Sequence, residues 1–187
     1  MTKDLPSPEL LRKLLRYEPE TGKLFWRERT PEMFTATEKR SAEHKCSNWN
    51  SRWSEKEALT ADNGSGYLCG NIFGRLYRAH RVIWAMHTGA WPVNDIDHID
   101  GDKAFNAIEN LREATRSENM SNRMLQENST SGFKGVTWDK SLQKWMAQIQ
   151  KSGKNHYLGR FTCPKAAHAA YCKAAKELHG KYANTGA

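Results

Sequence analysis

The 187-residue sequence has four cysteines, Cys46, Cys69, Cys163 and Cys172, and no two of them form a C-x-x-C pair. Structural zinc held by paired cysteines is therefore not expected. Cys163, His168, Cys172 and His179 are spaced poorly for a zinc site as well. Unpaired thiols suit a reducing compartment. No apolar run approaches the roughly eighteen residues that span a bilayer, so no membrane partner is expected. The polar N-terminus, with Pro6 and Pro8, lacks a signal-peptide pattern. Acidic residues are scarce in one place only: residues 127–187 carry 10 basic and 3 acidic side chains, against 12 and 10 in residues 1–60 and 7 and 8 in residues 61–126. Nearly all of the net charge of +8 lies in that last third, which points to a polyanion-binding module there.

What is present is most distinctive in residues 95–123, D-I-D-H-I-D-G-D-K-A-F-N-A-I-E-N-L-R-E-A-T-R-S-E-N-M-S-N-R. Ile96 and Ile99 flank Asp97-His98 in a short strand pattern, and Asp100-Gly101-Asp102 signals a turn. Residues 110–114 read as a returning strand. Thr115 and Glu118 have the spacing of a capping box, which predicts a helix start near Arg116. Asn119, Asn122 and Arg123 then share one helix face. A carboxylate and an amide oxygen are hard donors that suit magnesium or manganese (Mg2+ or Mn2+) rather than zinc. A histidine beside them titrates near neutrality and can take a proton from an attacking water. The competing interpretation is an ordinary acidic hairpin with a hydrogen-bonded histidine.

Asp97-His98, Asp100-Gly101-Asp102, Asn110-Leu111-Arg112 and Asn119 together resemble the ββα-metal motif of HNH endonucleases, in the branch whose final histidine is replaced by asparagine. The resemblance implies that His98 is the general base, that Asp97 and Asn119 hold the metal, and that Asn110 ties the loop to the strand and helps to orient His98. Many relatives carry two asparagines in the turn where this chain has Ala104-Phe105-Asn106. The run before the motif, Y-R-A-H-R-V-I-W-A-M-H-T-G-A-W-P, resembles the corresponding segment of phage members. It predicts a helix over residues 81–88 closed by Gly89, with His80 hydrogen-bonded and partly buried and Arg81 at a DNA phosphate.

Upstream, residues 8–17 predict a helix with Leu10, Leu11, Leu14 and Leu15 on one side, followed by a turn and a strand over residues 23–27. Residues 28–62 are polar and predict an extended connector, with a short helix near residues 54–59. Residues 67–72 and 75–79 alternate about Phe73-Gly74 as a hairpin.

Residues 127–132 are a polar, glycine-ended linker and the strongest boundary signal in the chain. Three strands are expected over residues 134–138, 145–150 and 156–160, then a helix from Pro164 to about His179 with Ala167, Ala170, Tyr171, Ala174 and Leu178 inward. The other sheet face would present Lys134, Gln148, Gln150 and Tyr157, with Trp138, Lys144 and Arg160 beside them. Basic, amide and aromatic groups suit phosphate contact and base-edge reading in the major groove. The string G-F-K-G-V-T-W…K-W-M-A-Q-I…Y-L-G-R-F…A-A-H-A-A-Y-C-K-A-A resembles the Apetala/ethylene-response-factor DNA-binding domain, which also occurs fused to phage HNH nucleases. Plant members have arginines where this chain has Thr137, Gln148 and Gln150, so a different target is implied.

The expectation is an α+β chain in three parts: residues 1–62 as N-terminal elements and connector, 63–126 as the ββα-metal HNH module, and 127–187 as a three-stranded antiparallel sheet packed on one helix. Its implied function is sequence-directed cleavage of double-stranded DNA, with one divalent metal and a histidine base. The predicted DNA contacts are Arg81, Arg123, Lys134, Thr137, Trp138, Lys144, Gln148, Gln150, Tyr157 and Arg160. The resemblance implies a phage-encoded homing endonuclease acting in the host cytoplasm, and one metal site per chain implies nicking by a monomer. The alternative is a DNA-binding regulatory protein whose HNH module is inactive.

Overall fold

The computed structural model describes residues 5–125 and 129–186, and part of the linker expected over 127–132 lies outside them. The chain divides into two compact units, residues 1–112 and 113–187.

The first unit opens with helix α1 (Pro8–Leu14), whose N-cap Ser7 hydroxyl accepts from the Leu10 amide. The helix ends earlier than its leucine stripe predicts, because Leu15 turns directly into strand β1 (Leu15–Glu18). β1 pairs antiparallel with β2 (Lys23–Trp26). Gly22, between them, has φ +70°, and a Cβ there would collide with the Asn106 and Ala107 backbone. That close approach fits only glycine. The connector is more ordered than its composition predicts. It forms helix α2 (Ala42–Trp53), N-capped by Ser41, upstream of the expected short helix. Trp49 of this helix meets Trp26 edge to face at 5.7 Å. Short strands β3 (Glu57–Ala58) and β4 (Ala61–Asp62) follow. The hairpin β5 (Leu68–Ile72) and β6 (Arg75–Arg78) leads into α3 (Ala79–Thr88), ended by Gly89 in the left-handed region. Leu11, Leu14 and Leu15 pack with Val82, Ile83, Met86, Ile96 and Leu111 in one core. Each such side chain contributes about 1.5–3 kcal/mol by leaving water. Strand β7 (Asp95–His98) forms a two-stranded sheet with β8 (Leu111–Ala114), within which the first unit ends.

The second unit takes in the end of β8 and continues into helix α4 (Arg116–Ser121). Both halves of its expected capping box are formed: Thr115 Oγ1 accepts from the Glu118 amide, and Glu118 Oε2 accepts from the Thr115 amide. Strands β9 (Val136–Asp139), β10 (Lys144–Lys151) and β11 (Lys154–Phe161) form an antiparallel sheet with β10 central, and helix α5 (Pro164–His179) covers one face. Ala147, Ile149 and Val136 are buried with Ala167, Tyr171, Ala174 and Ala175 of the helix. Gly135, at φ +71°, lies so close to the Tyr171 ring that a Cβ would overlap it. The architecture is α+β, and no helix among the described residues is long and apolar enough to cross a membrane.

Candidate active site and DNA-facing sheet

Four polar residues of the first unit gather in near-complete burial: His80 (2% exposed), Asp97 (4%), His98 (4%) and Asn106 (1%). β7 delivers Asp97 and His98, and α3 delivers His80 from its first turn. The loop between β7 and β8 is closed by Asn110. Its Nδ2 donates to Asp100 Oδ1 (2.9 Å) and to the Phe105 carbonyl (2.8 Å), and its Oδ1 accepts from the Asp100 amide (3.1 Å). The Asn110 carbonyl accepts from the Ile99 amide at 2.9 Å. These bonds fix the loop that carries Asn106.

Asn106 is the residue whose part sequence reasoning missed. Its Nδ2 donates to the Ala104 carbonyl at 3.1 Å, which turns its Oδ1 toward His98 Nε2 at 2.9 Å. With an amide oxygen as acceptor, Nε2 must carry the proton, so the basic nitrogen of the neutral ring is Nδ1. Burial lowers the pKa of His98, and the bond to Asn106 and the nearby Asp100, Asp97 and Asp102 pull the other way. The net shift is downward, which favours the neutral ring. Tyr17 pins the same loop from β1: its hydroxyl accepts from the Ile108 amide (2.8 Å) and donates to the Asn106 carbonyl (3.2 Å). The missed signal was the short amide in the turn, at a place where many relatives have another asparagine.

Asp97 Oδ2 accepts from Arg112 Nε (2.8 Å) and Nη2 (2.7 Å) across β7 and β8. A buried carboxylate needs such a partner. His80 is buried as expected, but its Nδ1 has no hydrogen-bond partner. Its pKa is lowered to about 3, first by burial and then by His98, Arg78 and Arg81. Arg81, expected at a phosphate, donates from Nη1 to the Asn94 carbonyl (3.0 Å) and from Nη2 to the Pro92 carbonyl (2.9 Å), which staples the loop after α3.

In the second unit Asn119 lies half-buried on α4, and Arg123 is exposed beyond it. Lys134 donates from Nζ to the carbonyls of Ser121 (2.9 Å) and Arg123 (2.5 Å), and burial with the nearby Arg123 lowers its pKa to about 8. Its ammonium thus serves the C-terminal end of α4. His179 Nδ1 meets the Ser121 hydroxyl at 3.1 Å, and Asn184 Nδ2 donates to the Asn122 carbonyl at 3.0 Å.

The register of the three strands assigns the open face. Lys144 lies opposite Asp139, Met146 opposite Thr137 and Arg160, Gln148 opposite Tyr157, and Gln150 opposite Asn155. Thr137, Lys144, Gln148, Gln150, Tyr157 and Arg160 therefore share the face away from α5. A bulge in β11, at the step between Ala147 and Gln148, keeps Tyr157 on that face. Arg160 donates to Asp139 Oδ2 (2.8 Å) and to the Tyr157 hydroxyl (3.2 Å). Trp138 does not join them: it pairs with Trp145 on the helix side, ring to ring at 4.9 Å, while remaining 42% exposed.

Comparison with known proteins follows this division of labour. A family model described as HNH endonuclease matches residues 77–121, and an AP2 domain model matches residues 131–181. The chain is 33% identical over 112 residues to protein 3.8 of Escherichia phage T7, a match that spans 59% of this chain and 92% of that protein. It is 31% identical over 121 residues to an uncharacterized HNH endonuclease of Acanthamoeba polyphaga mimivirus, spanning 64% of this chain and 62% of that protein. No solved structure matches. The chain belongs to the HNH endonuclease family, in a form that carries an AP2 domain after the HNH domain. Its domains are those of a DNA nuclease joined to a DNA-binding module, and both of these relatives are viral.

Among the described residues no group of three or more His, Cys, Asp or Glu side chains is placed to hold a metal ion. The donor expected of the first unit, the Asp97 carboxylate, is nonetheless of the hard type that suits a divalent cation completing its shell with water and phosphate.

Proposed function

We propose that the protein is a phage-type homing endonuclease that hydrolyses a phosphodiester of double-stranded DNA. In this mechanism His98 Nδ1 takes the proton of the attacking water. Asn106 keeps the opposite nitrogen protonated, so that the basic one is presented in the required tautomer. Asp97 and Asn119 would hold Mg2+ or Mn2+. Such a cation, when bound, offsets charge developing on the phosphate and the leaving oxygen. Asn110 acts through the loop by holding Asp100 and Phe105 in place. The outward face of the C-terminal sheet reads the target, with Gln148 and Gln150 at base edges and Lys144 and Arg160 at phosphates. One metal site per chain favours a nick left by a monomer, and a phage origin places the reaction in the host cytoplasm.

The observation that carries this proposal is the buried His98–Asn106 bond beside Asp97. A second reading, a DNA-binding regulator with an inactive HNH module, draws on the Arg112 guanidinium that engages Asp97 Oδ2. Plasmid nicking separates the two. Activity that requires magnesium, stops with chelator and disappears in Asp97→Ala supports the nuclease. Tight DNA binding by a wild-type protein that never cuts its cognate site, with magnesium or manganese, supports the regulator.

A further inference from the structure

We infer that His80 is a positioning residue for His98: its buried ring is a wall that fixes the rotation of the candidate base, and ring contact rather than a nitrogen bond does this. The inference rests on the assignment of His98 as the general base. The bond from Nε2 to Asn106 holds one edge of the His98 ring. Ring contacts bear on the rest of it. The His80 ring stands at 89° to that of His98 with centroids 5.2 Å apart, an edge-to-face contact. Tyr67 touches both, at 5.1 Å from His80 and 5.9 Å from His98. The outer side of Tyr67 is held in turn by the Arg78 guanidinium at 5.0 Å and the Lys103 ammonium at 5.1 Å. Lys103 is itself tied to the Ser65 carbonyl at 2.9 Å.

His80 is rigidly mounted. It lies in the first turn of α3 between Ala79, Val82 and Ile83, all of them buried. Its Nδ1 has no partner in that setting. A buried nitrogen without a partner destabilises the fold, and stability alone would favour an apolar side chain at this position. What the imidazole does supply is a flat aromatic surface of the size that fits between Tyr67 and His98.

Three substitutions in the full chain separate ring from nitrogen. His80→Ala removes both, His80→Gln keeps polar atoms without the ring, and His80→Phe keeps a ring without nitrogen. Single-turnover and steady-state cleavage of a DNA duplex with magnesium would be measured, with melting temperature as a check on folding. Ile83→Val, in the same helix, controls for core loosening. His80→Ala and His80→Gln should lower kcat about tenfold to a hundredfold, the scale of a misplaced reacting group, with KM for DNA unchanged. His80→Phe should recover most of kcat. Wild-type kcat in His80→Ala, or recovery by Gln and not by Phe, would overturn the proposal. If Phe proves too large to fold, the comparison of Gln with Ala still decides.

Should the wild-type protein itself fail to cut, the nuclease assignment falls, and the wall is then read from the His98 ring carbon–proton signals. One sharp set is expected in the wild type and several or broadened signals in His80→Ala. Identical signals in the two would show that His80 does not restrain His98.

Discussion

The two units handle polar groups in opposite ways. The first hides them: Asp97, His98, His80 and Asn106 are all nearly inaccessible, and each of the first two has a bonded neighbour that sets its orientation. The sheet face of the second displays them: Tyr157 is 57% exposed, and Gln150 and Arg160 stand open. A group that must accept a proton gains from fixed dipoles in a dry setting. Groups that must meet a long polyanion gain from exposure, because their contacts form only when counterions leave the DNA. Substitutions at the buried site around His98 should therefore change turnover, and substitutions on the open sheet face should change affinity and its salt dependence.

The largest break in this contrast is His98→Ala. It should lower cleavage by about a hundredfold or more while DNA affinity stays close to that of the wild type. A gel-based rate assay with parallel binding isotherms would show it, and neutral-pH cleavage at the wild-type rate would remove His98 from the chemistry.

Next is Lys134→Met, which deletes two bonds to the end of α4 inside the second unit. We expect a loss of about 0.5–1.5 kcal/mol, the net contribution of hydrogen bonds to half-buried and exposed carbonyls. Amide exchange in residues 116–121 should quicken. Unchanged exchange there would mean that the ammonium does not hold the helix.

A smaller effect sharpens the recognition side. Lys144→Ala should flatten the salt slope of DNA binding by about one unit, whereas Gln148→Ala with Gln150→Ala should leave the slope alone and relax sequence preference. If the two glutamines alter the slope and the lysine does not, the roles assigned to this face are reversed.

The least effect is expected at Asp139. Its carboxyl is drawn down to about 2, first by the Ser141 hydroxyl and then by Arg160 and the Leu142 amide. A lowered pKa in the folded state contributes stability above the ordinary carboxylate range and loses it as pH falls through about 2. Asp139 is half-buried beside the exposed Arg160, and solvent still screens part of the effect. Carboxyl titration followed by NMR should place Asp139 below the other carboxylates, and an ordinary midpoint would contradict the bond to Ser141.

Local signals in the sequence were sufficient where the physics is local. The Thr115–Glu118 box needs only neighbours in the chain and was readable, as were the Gly89 stop after α3 and the inner face of α5. Helix α2 was not readable, because it buries little beyond Cys46 and so has no apolar stripe. The bond between Asn106 and His98 depends on Tyr17 and on the Gly22 turn, about ninety residues away, and no local pattern announces it. Arg81 was read as a phosphate contact from the run before the motif, and Lys134 as a DNA contact from strand alternation. Neither pattern reveals that backbone carbonyls lie within reach, and the structure shows both side chains bonded to them.

The bonds around α4 bear on how such proteins can be recombined. Lys134 and His179 lie within the segment matched by the AP2 model, and Asn184 just beyond it; all three grip a helix that the HNH model claims up to residue 121. Grafting a foreign DNA reader onto this nuclease at the 126–128 junction would discard those three side chains and leave the helix without its clasp. A chimera would keep it only if the donor supplied equivalent donors and acceptors, or if the crossover were moved upstream into β8, so that α4 travelled with the domain that holds it.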